Sequence, residues 1–267
     1  LGATRPIEGF VDQLSNWYLR RSRRRFWKSE SDGDKAAAYE VLYTALTTLA
    51  SLLAPTMPFM AEELYQNLVR SVNKDAPVSV HLIEWPKPDP ERINEKLNRD
   101  MALVMRLASL GHSARNKSNV KVRQPLSEVA FAVGSAEDAE LVERFRDVLL
   151  EELNVKNVRL LSGAGEAVDY RINPLPKQLG QKYKNLFPQI REAILELPVQ
   201  ESAQKLLDGI NLVVQVGGKY YEIQPDEVEV HTSAREGLEV ASDGPYLAAL
   251  DIDLTQELIY EGLAREF

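Results

Sequence analysis

Residues 16–28, beginning Asn16-Trp17-Tyr18-Leu19-Arg20-Arg21 and ending Arg25-Phe26-Trp27-Lys28, hold five arginines, one lysine and four aromatics. They include no acid, in a 267-residue chain whose net charge is -8. Guanidinium forks bind phosphate oxygens in pairs, and the faces of Trp and Tyr offer stacking surfaces for unpaired bases. The candidate binding residues are therefore Trp17, Arg20, Arg21, Arg23, Arg24, Arg25, Trp27 and Lys28. The ligand chemistry they suit is a polyanion with exposed bases. A plainer reading stands beside it, in which Trp17 and Tyr18 are core aromatics and the arginines pair with acids elsewhere.

A second cationic segment carries Arg115, Lys117, Lys121 and Arg123 within an acid-free stretch at 112–125. A third, at 170–191, carries Arg171, Lys177, Lys182, Lys184 and Arg191. The catalytic inventory is otherwise empty. There is no phosphate-cradling glycine loop and no nucleophile with a partner histidine. His81, His112 and His231 have no metal-ligand spacing, and with no cysteine there are neither disulfides nor thiolate metal sites. Neighbouring acids such as Glu62 with Glu63 and Glu151 with Glu152 are expected on solvated faces.

These residues need elements to position them. Ile7, Val11, Leu14 and Tyr18 recur at helical spacing as one apolar stripe, which Arg21 and Arg25 continue. Unpaired arginine is not buried, so this helix is expected to run past its core and present its end to solvent or ligand. Asp34 is placed to cap a second helix running to Leu53, which stops before Pro55. A third helix is expected at 59–72, opened by Pro58, and a fourth at 91–116 after an extended segment at 79–86. Four helices with short links predict an antiparallel bundle.

Past Pro125 the texture changes. Strands are expected at 126–133, 155–161 and 168–172, with a helix at 136–153 capped by Ser135. Further helices end at Leu197 and Leu207. Gly217-Gly218 predicts a two-residue hairpin turn, and strands at 228–232, 238–241 and 246–251 precede a helix capped by Thr255. The expected fold class is thus multidomain: an all-α bundle over 1–120 and an α+β domain over 121–267, with the boundary at 118–125. No window approaches eighteen uninterrupted apolar residues, so no membrane span is expected. No secretory segment is read at the start, and both ends look like cuts in a longer protein.

Four stretches carry a resemblance. Residues 14–27, Leu14-Ser15-Asn16-Trp17 through Arg25-Phe26-Trp27, closely resemble the opening helix of the anticodon-binding domain of isoleucyl-tRNA synthetases. Residues 53–64, Leu53-Ala54-Pro55-Thr56-Met57-Pro58-Phe59 onward, resemble a helix start shared by the isoleucyl, valyl, leucyl and methionyl enzymes. Residues 114–126 and 254–267 look like the isoleucyl enzyme of its eukaryote-like type, which also occurs in some bacteria.

The resemblance implies the C-terminal part of a cytoplasmic class I enzyme that joins isoleucine to its tRNA. That enzyme uses ATP and Mg²⁺ in a Rossmann-type domain bearing HIGH and KMSKS-type motifs, and edits misacylated valyl-tRNA in an inserted domain. None of these motifs stands in this chain; Lys117-Ser118-Asn119 is only superficially similar to the second. The chain alone is therefore expected to be non-catalytic, with no cofactor of its own. One branch of the family carries a cysteine-rich zinc site, from which this chain departs, so no zinc is expected. The partners implied are isoleucine tRNA and the enzyme's own catalytic domain, with no DNA and no membrane. Trp17 and Trp27 would pack or stack near the anticodon loop. Arg20, Arg21, Arg23, Arg24, Arg25 and Lys28 would meet phosphates or base edges. Arg115, Lys117, Lys121 and Arg123 would steady the stem or loop. Two alternatives remain: the matching part of a valyl or leucyl enzyme, and a protein interaction module whose basic helix docks on an acidic face, either a partner's or the chain's own at 222–243.

Overall fold

The computed structural model describes residues 2, 4–28, 32–207 and 209–265; the side chains of Lys28 and Asp32 lie outside that description. The fold is mixed α/β, and its packing divides into two compact units, Leu1–Ile93 and Asn94–Phe267.

The described elements of the first unit are helical. Helix α1 spans Thr4–Gln13 and passes through a π-helical segment, Leu14–Leu19, into α2, Arg20–Lys28. Next come α3, Asp32–Leu53, and α4, Pro58–Tyr65, which is continued by a second π-helical segment, Gln66–Arg70. Helix α3 packs against both α2 and α4. Ala54, Ala61, Tyr65 and Val80 close one buried cluster of this unit. By length and composition alone, residues 33–53 could cross a bilayer, which the sequence reading did not anticipate. Ala38 and Ala50 of that helix are fully buried, while most of its other residues are not.

Instead of the extended segment expected at 79–86, a 3₁₀ turn forms at Val80–Leu82. Its anchor is Glu62, expected to be solvated. The Glu62 carboxylate accepts from Ser79 Oγ at 2.7 Å, from Val80 N at 3.1 Å and from Gln66 Nε2 at 2.7 Å. These donors, Ser79 foremost, hold its pKa below the usual carboxylate range.

The long fourth helix, α5 at Glu95–Lys117, belongs to the second unit. It packs on strands and helices that follow it, so the four-helix bundle expected from its spacing is not what it builds. The physical reason is that an apolar stripe states how much surface must be buried but not against what. The break in packing, at 93/94, therefore lies upstream of the change in texture at 118–125.

After α5 come β1 (Leu126–Ala132), α6 (Ala136–Arg144), α7 (Arg146–Leu153), β2 (Val155–Leu160) and β3 (Val168–Pro174). Then follow α8 (Pro176–Tyr183), α9 (Phe187–Leu195), α10 (Val199–Leu207) and the hairpin of β4 (Leu212–Val216) with β5 (Lys219–Ile223). The chain closes with β6 (Val228–Ala234), β7 (Leu238–Asp243), β8 (Tyr246–Asp251) and α11 (Gln256–Ala264). The main sheet has the order β2-β1-β8-β7. Strands β1 and β2 are parallel, with Leu126 opposite Val155, and need the α6–α7 crossover between them; the other pairs are antiparallel.

Alternation along β1 gives the sheet two faces. Ala130 and Ala132 join a cluster with Val168, Leu247 and Ala249, while Val129 and Phe131 point to the opposite face. A second core gathers Ile172, Leu179, Ile190, Ile194, Leu206 and Ile223 from α8, α9, α10 and the β3, β4 and β5 strands. The turn at Gly217-Gly218 has φ of +59° and +79°, the left-handed values that a type I′ hairpin requires of both central residues.

Candidate nucleic-acid interface

Every residue of the first cationic segment is carried by the α1–α2 stretch, and the π-helical turn within it decides which side chains face outward. A π turn takes up one residue more than an α turn, so the downstream helix slips by one position, about 100° around its axis. The stripe through Leu14 and Tyr18 then continues as Ser22 and Phe26, not as Arg21 and Arg25. Leu14, Ser22 and Phe26 are buried; Tyr18 donates to Ala38 O at 3.2 Å, and Phe26 meets Tyr39 edge-on at 5.1 Å. A constant wheel had put arginines on the core stripe; the slip removes them from it.

On the open side, cations and aromatics interleave at i, i+4. The Arg21 guanidinium lies 5.3 Å from the centroid of Trp17, and that of Arg23 lies 5.7 Å from Trp27. Trp17 is half-buried, whereas Trp27 is 73% exposed. Each contact contributes about 0.5–1 kcal/mol at an exposed site and holds the ring without covering both of its faces. Arg20, Arg23 and Arg24 are exposed. Arg20 Nε donates to Asn16 O at 2.8 Å, which lays its side chain back along the helix.

Arg25 behaves as the plainer reading expected. Its Nε and Nη2 reach the carboxylate of Asp34 at 3.0 and 2.7 Å, a two-pronged pair between α2 and α3. This hydrogen bonding raises the Arg25 pKa and lowers that of Asp34. Asp34, expected as a helix cap, serves instead as the arginine's partner, since α3 already begins at Asp32. The side chain of Lys28 lies outside the described residues.

The second segment lies in the other unit, where the structure divides it into a buried anchor and an exposed turn. Arg115, expected at a ligand, is 0% exposed. Its Nη1 donates to the carbonyls of Lys121 at 3.0 Å and Gln124 at 2.7 Å. Its Nη2 donates to Leu153 O at 2.6 Å and Asn154 O at 3.4 Å. Burial pushes its pKa down to about 10, which leaves it a cation at neutral pH. Asn154, in a left-handed conformation at the end of α7, donates from Nδ2 to Val122 O at 3.0 Å and Arg123 O at 3.1 Å. Four consecutive carbonyls, 121 to 124, are thereby tied to the scaffold. Lys121 and Arg123 are exposed on that clamped turn, and Lys117 donates to Val240 O at 2.8 Å.

Sequence reasoning missed Asn154 altogether. Its signal was an Asn standing directly between a helix pattern and a strand pattern, the position of a left-handed cap. It also missed Glu152, expected to be solvated, which is buried with His112 Nε2 at 3.1 Å. Among the described residues no group of three or more His, Cys, Asp or Glu could hold a metal ion.

Residues 3–130 match the family model for the anticodon-binding domain of tRNA ligase. The chain is similar to isoleucine–tRNA ligases. It is 43% identical to the isoleucine–tRNA ligase of Thermus thermophilus and 42% identical to that of Thermobifida fusca, each over 99% of this chain. It is 40% identical to that of Clostridium novyi, again over 99% of its length. The chain spans about a quarter of the length of these curated relatives: 25% for Thermus thermophilus and 24% for Thermobifida fusca.

Proposed function

We propose that this chain recognises the anticodon stem-loop of isoleucine tRNA, as the C-terminal part of an isoleucine–tRNA ligase. In this reading the anticodon-binding region takes in the helical first unit and α5, up to residue 120, although α5 packs with the second unit, and an α+β region, 121–267, follows it. Ligation with ATP and Mg²⁺ belongs to the catalytic domain of the same cytoplasmic enzyme. The observation that carries the reading is the side of α2 turned away from its core stripe, where Arg23 lies 5.7 Å from the centroid of Trp27 and that ring is 73% exposed, with the Arg21–Trp17 pair on the other flank. Such a face meets both halves of a single-stranded RNA loop, the phosphates through guanidinium and the splayed bases through stacking. Arg20, Arg21, Arg23 and Arg24 are the phosphate or base-edge contacts, with Trp27 as the stacking platform and Trp17 as its half-buried support. Lys28 extends the same basic run. Arg25 is set apart by Asp34, and Arg115 by its burial.

The interaction-module alternative loses support within the second unit. Of the acids proposed as a docking face, Glu227 pairs with Lys182 at 2.7 Å and Asp243 with Arg106 at 2.6 Å. Less free acidic surface remains than the sequence suggested.

The test is a titration of the 267-residue chain with an isoleucine-tRNA transcript, the same transcript with its anticodon replaced, and a valine tRNA, at low and moderate salt. The expected result is a preference for the native anticodon that survives at moderate salt, with Arg24→Ala flattening the salt dependence by about one unit of slope. Equal and steeply salt-dependent binding of all three RNAs overturns the reading.

A further inference from the structure

In the second unit a recess of 340 Å³ opens between the clamped turn and α11. Its lining combines two cations, Lys121 and Arg123, three aliphatic side chains, Val120, Leu254 and Leu263, and the amide of Gln124. We propose that this recess receives one unpaired nucleotide of a bound RNA, with its phosphate on Lys121 and Arg123 and its base against Leu254 and Leu263. The inference rests on the RNA-binding reading above and adds to it a second site, in the α+β unit.

Three observations carry it. The first is composition. Leu254 and Leu263 remain 42% and 48% exposed beside two exposed cations, and among the described residues no carboxylate lines the recess. A bare phosphate site has no use for an aliphatic wall, and a purely apolar docking patch has no use for converging cations. A nucleotide needs both.

The second is preorganisation. Arg115 and Asn154 hold the carbonyls of residues 121 to 124 inward, so the turn is set before any ligand arrives. Asn119 opens that turn with φ of +57°, a value Asn tolerates. On the opposite wall Gln124 Nε2 donates to Leu258 O at 2.7 Å, which ties the turn to α11. Gly262 permits that approach, because a Cβ there would stand 2.2 Å from Gln124 Oε1. Arg265 completes the clamp by donating to Asn154 Oδ1 at 2.7 Å.

The third is size. At 340 Å³ the recess lies at the small end of ligand clefts, about 300–1,000 Å³, and suits one nucleotide better than a longer segment.

The experiment records amide and methyl NMR spectra of the 267-residue chain with adenosine, cytidine, guanosine and uridine 5′-monophosphates, and separately with inorganic phosphate. The isoleucine-tRNA titration runs in parallel on the parent chain, Arg123→Ala and Leu263→Ser. The expected result is that mononucleotides shift both residues 120–124 and the Leu254 and Leu263 methyls, whereas phosphate shifts only the turn. Leu263→Ser abolishes the mononucleotide response and keeps the phosphate response, and Arg123→Ala weakens tRNA binding roughly tenfold at low salt. Identical shifts from phosphate and mononucleotides overturn the proposal, leaving an anion-binding turn. Absent shifts, with native-anticodon preference intact in the tRNA titration, overturn it too and leave the anticodon reading standing. Mononucleotide shifts at both walls, with no anticodon preference by the chain, uphold the recess and sink the anticodon reading.

Discussion

The chain presents cations to solvent in two ways. In α2 they ride on a helix with one side buried, and three of them are steadied by a neighbour four residues away: Arg20 by Asn16 O, Arg21 by Trp17, Arg23 by Trp27. In the turn at 119–124, Lys121 and Arg123 ride on irregular backbone that is held from beneath by side chains outside it, Arg115 from the preceding helix and Asn154 some thirty residues on. A helix satisfies its own backbone, so its surface arginines are replaceable one at a time. A turn has no such internal ladder, and its carbonyls must find donors elsewhere. Presenting two cations there requires a third that is never presented.

That contrast can be broken most severely at Arg115. Arg115→Ala removes the guanidinium donors of the Gln124 carbonyl and of the buried Leu153 carbonyl and empties a buried side-chain site, and is expected to destabilise the second unit by about 4 kcal/mol in urea unfolding. Arg115→Lys recovers little, because an ammonium cannot reproduce the fork. Arg24→Ala on the exposed side of α2 should leave stability within about 0.5 kcal/mol. An equal loss at Arg24 and Arg115 would erase the distinction.

The helix has its own buried side, and Phe26 tests it. Truncating this ring, 7% exposed against Tyr39, is expected to cost about 3 kcal/mol. Trp27→Ala, one residue on, should cost little stability and show its effect in RNA binding. If Trp27→Ala proves the more destabilising of the two, the slip of register at the π turn is not as described.

Asn154 sharpens the comparison on the turn side. Asn154→Ala removes two carbonyl partners and strains a residue at φ of +50°, for about 1–2 kcal/mol. Asn154→Gly relieves the strain but not the lost bonds. Circular dichroism melts of the pair separate the two contributions, and equal melts would assign the whole loss to hydrogen bonding.

The smallest effect is at Arg25. Asp34 titrates below its usual 3.8 because Arg25 hydrogen-bonds its charged form. The pair therefore contributes fully above that usual value, and its contribution is lost as pH falls through the lower folded-state pKa. An NMR titration of the Asp34 carboxyl should find a lower midpoint in the parent chain than in Arg25→Gln. Equal midpoints would mean that the pair is not formed in solution.

Much of this was legible beforehand where the cause is local. Ser135 and Thr255 cap their helices as expected, accepting from Asp138 N and Leu258 N, and Gly217-Gly218 turns its hairpin. The boundaries of β1, β2 and β8 fall within a residue or so of their patterns. The helix expected at 136–153 is broken at Phe145, and the longer one ending at Leu197 is broken at Lys184, a non-glycine residue at φ of +47°. The break at Phe145 leaves no composition signal, whereas Pro188, in the first turn of the restarting helix α9, was a signal for the second.

By itself the sequence determined the segments, their caps and turns, and the places where cations gather without acids. Each of these follows from side chains within a few residues of one another. Only the tertiary structure decided which cations are presented. Whether Arg21 or Ser22 faces the core depends on one π turn, and a wheel of constant pitch cannot contain it. Whether Arg115 is a ligand or a clamp depends on Leu153 and Asn154, nearly forty residues away, and the allegiance of α5 depends on strands that follow it by more than a hundred residues. Spacing states what must be buried or paired; only contacts distant in sequence choose the partner.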